Sequence, residues 1–150
     1  SRESDDEVDG IQFLTRALKG QNASSASTIL EHIRKMSGDK FVILICDEVL
    51  PAGHFETITW TYDADFENLD STEIKRIVIT GPRFLDEKLR LLIAGIDPDK
   101  IVAIENPDDA ANYIPDEHID KVIIIHDILA DGYETKLKNR IKEKILGGNL

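Results

Sequence analysis

Three short stretches of this chain are apolar without interruption: Phe41–Ile45, Ile77–Ile79 within Arg76–Thr80, and Val122–Ile125 within Lys121–Ile125. All are rich in Ile and Val, and none leaves a polar face. Strands of this kind are buried on both sides, which happens when a parallel sheet is covered by helices above and below. The segments between them fit that demand. Ser24–Met36 places Ala26, Ile29, Leu30, Ile33 and Met36 on one stripe at helical spacing. Its serines offer N-caps, and Ser37-Gly38-Asp39 ends it.

After Arg76–Thr80, Gly81-Pro82 opens a second helix whose Leu85, Leu89, Leu92, Ile93 and Ile96 share a face, predicted to be the buried one, before Pro98-Asp99 breaks it. Ile101–Ile104 reads as a short strand. Asn106-Pro107 reads as a cap and first-turn proline opening a short helix through Ala110, Ala111 and Ile114. A closing helix runs from Tyr133 to Leu146 and stops at Gly147-Gly148. Alternation of Ile58 and Trp60 with threonines predicts a further strand over Glu56–Thr61. Residues 11–19 fit a strand or a helix equally. The expected architecture is α/β: a three-layer, Rossmann-like domain with a mainly parallel sheet. Residues 1–10 are expected as a flexible acidic lead-in, with a turn at Asp9-Gly10, and 11–150 as a single domain.

The net charge of -11 repels a phosphate backbone, so nucleic acid is not an expected partner. No apolar run reaches the ~18 residues of a membrane-spanning helix. One cysteine allows no internal disulfide and no cysteine zinc site, which fits cytoplasmic residence. No glycine-rich phosphate loop of either common type occurs, so the chain is not expected to bind a nucleotide cofactor or to be active alone.

In open α/β sheets, ligands gather outside the carboxyl ends of the strands. The connection that follows Phe41–Ile45 there carries Cys46, Asp47, Glu48, His54, Glu56, Trp60, Asp63, Asp65 and Glu67. Its carboxylates suit orienting a histidine or accepting substrate hydrogen bonds, or they are simply solvated. Cys46 beside two carboxylates is expected to be an inert thiol, because their field opposes a thiolate. Gly81-Pro82-Arg83 is either a tight strand-to-helix turn or an anion cradle. His126-Asp127 ends the last strand at the same sheet edge as Asp47. The histidines make no helical i, i+4 pair and no metal is expected; a small-molecule or metal site at Asp47, His54 and His126 is the third functional option.

Trp60-Thr61-Tyr62-Asp63-Ala64-Asp65-Phe66-Glu67 resembles the Ser-Trp-Ile-Trp-Asp-x-Asp-Phe-Glu segment in the C-terminal domain of MurT-type Mur ligases. Further blocks agree in order. Gln21–Leu30 is similar to that family's Lys-Asn-Pro-Ala-Gly-Phe-Asn helix start. Ile79–Arg83 with Lys88–Gly95 is similar to its Gly-x-Arg and Ala-Leu-Arg-Leu-Lys-Tyr-Ala-Gly segments. The resemblance implies the fold of a Mur ligase C-terminal domain. It also implies a role in an ATP-dependent amidoligase that amidates the lipid II precursor with a GatD-type glutaminase. ATP and Mg would belong to the full-length ligase, and the precursor would be held by its other domains. The domain's implied part is to dock the glutaminase and present an aspartate that orients its histidine. Where the family reads Ala-Asp-Gly-x-Asp-x-Ser-Trp, this chain has Ala52–Trp60 without either Asp. Glu56 and Asp47 are the carboxylates left for a catalytic role; His54, Trp60, Asp63, Arg83 and His126 are the candidates for partner or substrate contact. The alternative is a non-catalytic interaction or ligand-binding module on the same fold.

Overall fold

The computed structural model describes residues 4–18, 22–46, 60–127 and 133–147. In chain order its elements are β1 (Ser4–Val8), β2 (Ile11–Leu18), α1 (Ala23–Lys35), β3 (Lys40–Ile45), α2 (Trp60–Asp63), β4 (Ile74–Thr80), α3 (Phe84–Ile93), β5 (Ile101–Ile104), β6 (Lys121–Asp127) and α4 (Tyr133–Gly147). Short 3₁₀ turns lie at Phe66–Leu69, Pro98–Lys100 and Pro107–Tyr113. The strands form one sheet in the order β1-β2-β6-β3-β4-β5, with β1 antiparallel to β2 and the other pairings parallel.

The apolar runs are the centre of this sheet, as their composition requires. Side chains alternate across the pleat. Val42, Leu44, Ile77, Ile79, Ile123 and Ile125 enter one core, shared with α1, α2, the 66–69 turn and α3. Phe41, Ile43, Ile45, Val78, Val122 and Ile124 enter the other, covered by the 107–113 turn and α4. β2 joins β6 in parallel register, which settles the ambiguous stretch after Gly10 as a strand.

Residues 4–8 depart from the expected flexible lead-in. The Asp9-Gly10 turn, with φ of 53° and 80°, has the positive dihedrals of a tight hairpin, and it folds β1 back along β2. The carboxylates of β1 meet cations there: Arg16 bonds Asp5 at 2.7 Å, while Lys138 and Lys142 of α4 reach Asp6. An acidic edge strand of this kind also discourages further strand pairing.

The strand expected over Glu56–Thr61 is also overturned where it is described. Trp60 and Thr61 begin α2, closed by the Ala64 N–H donating to the Trp60 carbonyl at 3.1 Å. Thr61 and Ala64, three apart, are both buried, so helical spacing rather than alternation is what the packing uses here. Residues 56–59 lie outside the described residues.

α1 follows its pattern. Asn22, rather than a serine, caps it, its Oδ1 accepting from the N–H groups of Ser24 and Ser25. Ala26, Leu30 and Ile33 are buried. α3 does not follow its pattern. Leu85, Leu89, Leu92 and Ile93 are 64, 51, 37 and 59 % exposed, while Glu87, Arg90 and Leu91 are buried. Only Ile96, beyond the helix end, joins the core as expected.

Candidate functional site at the carboxyl edge of the sheet

The parallel register carries β6, β3 and β4 to a common edge. Ile45 lies opposite Thr80 on one side and His126 on the other. The Cys46 N–H donates to the Thr80 carbonyl at 2.8 Å, extending the pairing by one residue. Gly81 follows at φ 108°, and a Cβ added there would stand 2.2 Å from the Cys46 carbonyl oxygen. A glycine is therefore required for both its dihedral and the approach of the two backbones. The chain leaves this contact into residues 47–59 on one side and into α3 on the other.

Three polar side chains are buried near this edge: Thr80, Glu87 and His126. Cys46 is half-buried at the end of the core strand. Arg83 precedes α3 and its Nε pairs with Asp86 at 3.0 Å. Asp86 and Glu87 already occupy the first turn of α3 and answer its dipole. The Phe84 N–H donates to the Gly81 carbonyl at 3.1 Å, so Gly81-Pro82-Arg83 is a tight turn.

Arg90 is the side chain that organises the neighbourhood, and sequence reasoning missed it. It is 3 % exposed. Its Nε donates to the Thr61 carbonyl at 2.7 Å, and its Nη2 donates to the Ala64 carbonyl at 2.8 Å and to Glu67 Oε1 at 2.9 Å. Its guanidinium carbon stands 5.5 Å from the Phe66 ring centre and 6.0 Å from that of Tyr62. The 60–67 block and the 88–95 block, distinct in sequence, thus meet at one guanidinium. Trp60 packs on Phe66 with ring centres 6.5 Å apart, half-buried over the core. Partial burial of Glu67 pushes its carboxyl pKa up, but hydrogen bonding from its own backbone N–H and from Arg90 outweighs this and holds it below the usual value. The signal for Arg90 was its place on the helix wheel, opposite the leucines and beside Glu87.

The candidates named from sequence divide accordingly. Asp47, His54 and Glu56 lie outside the described residues. Asp63 is exposed at the end of α2, beside the half-buried Trp60. His126 is fully buried, so its imidazole does not stand on the described surface. Among the described residues no group of His, Cys, Asp and Glu is placed to hold a metal ion, and no helix is long and apolar enough to cross a membrane.

The family model described as MurT ligase C-terminal matches residues 20–135, which include both blocks joined by Arg90. Two curated relatives, each the lipid II isoglutaminyl synthase (glutamine-hydrolyzing) subunit MurT of a Staphylococcus aureus strain (COL and N315), are 29 % identical over 82 residues. That stretch is 55 % of this chain and 18 % of each relative, so the chain corresponds to under a fifth of their length. Among solved structures, UDP-N-acetylmuramate-alanine ligase MurC of Thermotoga maritima superposes with a TM-score of 0.61 at 10 % identity. The match covers 92 % of this chain and 27 % of that one. MurF ligase of the same organism, in complex with ADP, gives 0.58 at 15 % identity over 97 % and 31 %. At such identities these two establish the fold alone, the Mur ligase C-terminal α/β fold expected from sequence. The family match, spanning most of the chain, establishes more: this chain belongs to the MurT ligase C-terminal family.

Proposed function

We propose that this chain is the C-terminal domain of an ATP-dependent amidoligase that amidates a lipid II cell-wall precursor with ammonia from a glutaminase. Its part is to dock the glutaminase and to hold a carboxylate against it. The observation that carries the reading is the match to the MurT C-terminal family across both blocks that Arg90 ties together. The named relatives support it, since each is a subunit of a glutamine-hydrolysing synthase. A carboxylate positioned from outside can hold the imidazole beside a cysteine nucleophile in the needed tautomer. Glu56 and Asp47 are the proposed bearers of that role. ATP and its Mg²⁺ would be held by the remainder of the ligase, in the cytoplasm, where ATP and glutamine are supplied.

The test uses the full-length ligase with its glutaminase. Glu56→Ala or Asp47→Ala should lower glutamine hydrolysis by the complex by about 100-fold, the scale of losing a positioned acid–base partner, while the complex still forms. Unchanged hydrolysis in both variants would sink the carboxylate role. One observation favours a second reading, a non-catalytic docking module: Ala52–Trp60 carries neither Asp of the family pattern. Under it the complex forms and both variants retain full hydrolysis.

A further inference from the structure

α3 is inside out by the ordinary standard of a surface helix. Its stripe of Leu85, Leu89, Leu92 and Ile93 faces solvent together with exposed Lys88, while its buried face holds Glu87 and Arg90 beside Leu91. Tyr62, 47 % exposed and seated over Arg90, flanks the helix. From these exposures the leucine and isoleucine side chains present about 400 Å² of apolar surface, the size at which the largest patch of a monomer is commonly functional. The neighbouring α2 and the residues after it present the exposed carboxylates Asp63 and Asp65, and Glu67, which is already paired with Arg90. The surface is therefore an apolar ridge that carries Lys88 and has Asp63 and Asp65 at its margin.

We propose that this ridge is the docking surface for a separate subunit, one offering an apolar groove rimmed by Lys and Arg. Resting on the function proposed above, that subunit is the glutaminase. Two arguments choose it over a second copy of this chain. A stable pairing needs roughly 800 Å² from each partner, about twice the ridge, so the ridge is the centre of a larger contact that includes its margin. That margin is acidic on a chain of net charge -11, so a second copy would bring like charge to it, whereas a basic rim completes it. Position agrees. α3 begins just after the Gly81–Cys46 contact, so its Leu85 end lies toward the carboxyl edge of the sheet. The ridge supplies affinity and the carboxylate supplies chemistry, and the two are separable.

The experiment measures glutaminase affinity for the full-length ligase by titration calorimetry, with Leu85→Lys and Leu89→Lys alone and together. Light scattering and thermal melts of the ligase alone accompany it. Docking on the ridge predicts that the double variant weakens binding by about 30-fold or more, the scale of a lost hot spot, with unchanged mass and melt. Asp63→Lys should weaken binding several-fold at low salt and much less at high salt. Binding within two-fold of wild type in the double variant overturns the ridge while the function stands. A wild-type ligase that binds no glutaminase overturns both. A dimer that the double variant splits assigns the ridge to a second copy, and a lower melt of the ligase alone assigns it to the ligase's own other domains; either result overturns the proposal.

Discussion

α1 and α3 cover the same face of one sheet, and both carry an apolar stripe at helical spacing, yet only α1 turns its stripe inward. Leu30 of α1 is 2 % exposed and Leu89 of α3 is 51 % exposed. What each helix must cover differs. α1 packs among aliphatic side chains of the core it shares with β3 and β6. α3 lies over β4 and β5 and, like α1, also meets α2 and the 66–69 turn, but it alone meets the inward-turned carbonyls of Thr61 and Ala64. Buried carbonyls must be given donors. A leucine has none, and a guanidinium has five. At α3, backbone accounting therefore outranks apolar patterning. Leu85, Leu89 and Leu92 face outward because the inner face, where Leu91 reaches the core, is shared with a cation.

The largest way to break this comparison is Arg90→Met in the isolated chain. It keeps an apolar stem but strands the two carbonyls and Glu67. The expected loss is about 3 kcal/mol or more in urea unfolding. A loss under about 1 kcal/mol would mean that Arg90 merely occupies space. Next comes the pair Leu30→Ala and Leu89→Ala. The first should cost about 3 kcal/mol and the second no more than about 0.5 kcal/mol. Equal losses would erase the distinction between the helices.

The helix starts give a smaller contrast. Asn22→Ala should cost about 1 kcal/mol, because Asn22 caps two N–H groups, whereas Arg83 makes no side-chain cap bond to α3 and Arg83→Ala should be near neutral. Chemical denaturation of both variants checks this. The smallest effect is the pH dependence of the Arg90–Glu67 contact. The Glu67 carboxyl is held below its ordinary value, so its contribution is complete above that value and is lost as pH falls through the lowered one. More than half of its side chain is exposed, which keeps the contribution under about 1 kcal/mol after solvent screening. Glu67→Gln should flatten that part of the stability–pH curve; an unchanged curve would mean that other carboxylates carry the acid limb.

Much of the fold was legible before any coordinates. The apolar runs at Phe41, Ile77 and Val122 can exist only between two layers, and the glycines and prolines between helices and strands mark real ends. β1 was not legible. Its Ser-Asp-Asp-Glu-Val composition is poor strand material, and it pairs with β2 where Arg16 meets Asp5 and where Lys138 and Lys142, distant in sequence, meet Asp6. The alternation of Ile58 and Trp60 with threonines misled at its end, where Trp60 and Thr61 start α2 and pack at helical spacing. Of the candidate site, the register shows that His126, Thr80 and Cys46 share one sheet edge, while Asp47, His54 and Glu56 lie outside the described residues. Arg90 escaped notice because the leucine stripe argued for the opposite face.

By itself, then, the amino-acid sequence determined the layered α/β architecture and family, because period, composition and block order are local properties that survive without contacts. Which side of α3 is buried was decided only in the tertiary structure. The reason is that the demand for a donor at Thr61 and Ala64 arises when two distant segments meet, and no local pattern can carry it. The same meeting left Leu85, Leu89, Leu92 and Ile93 on the outside.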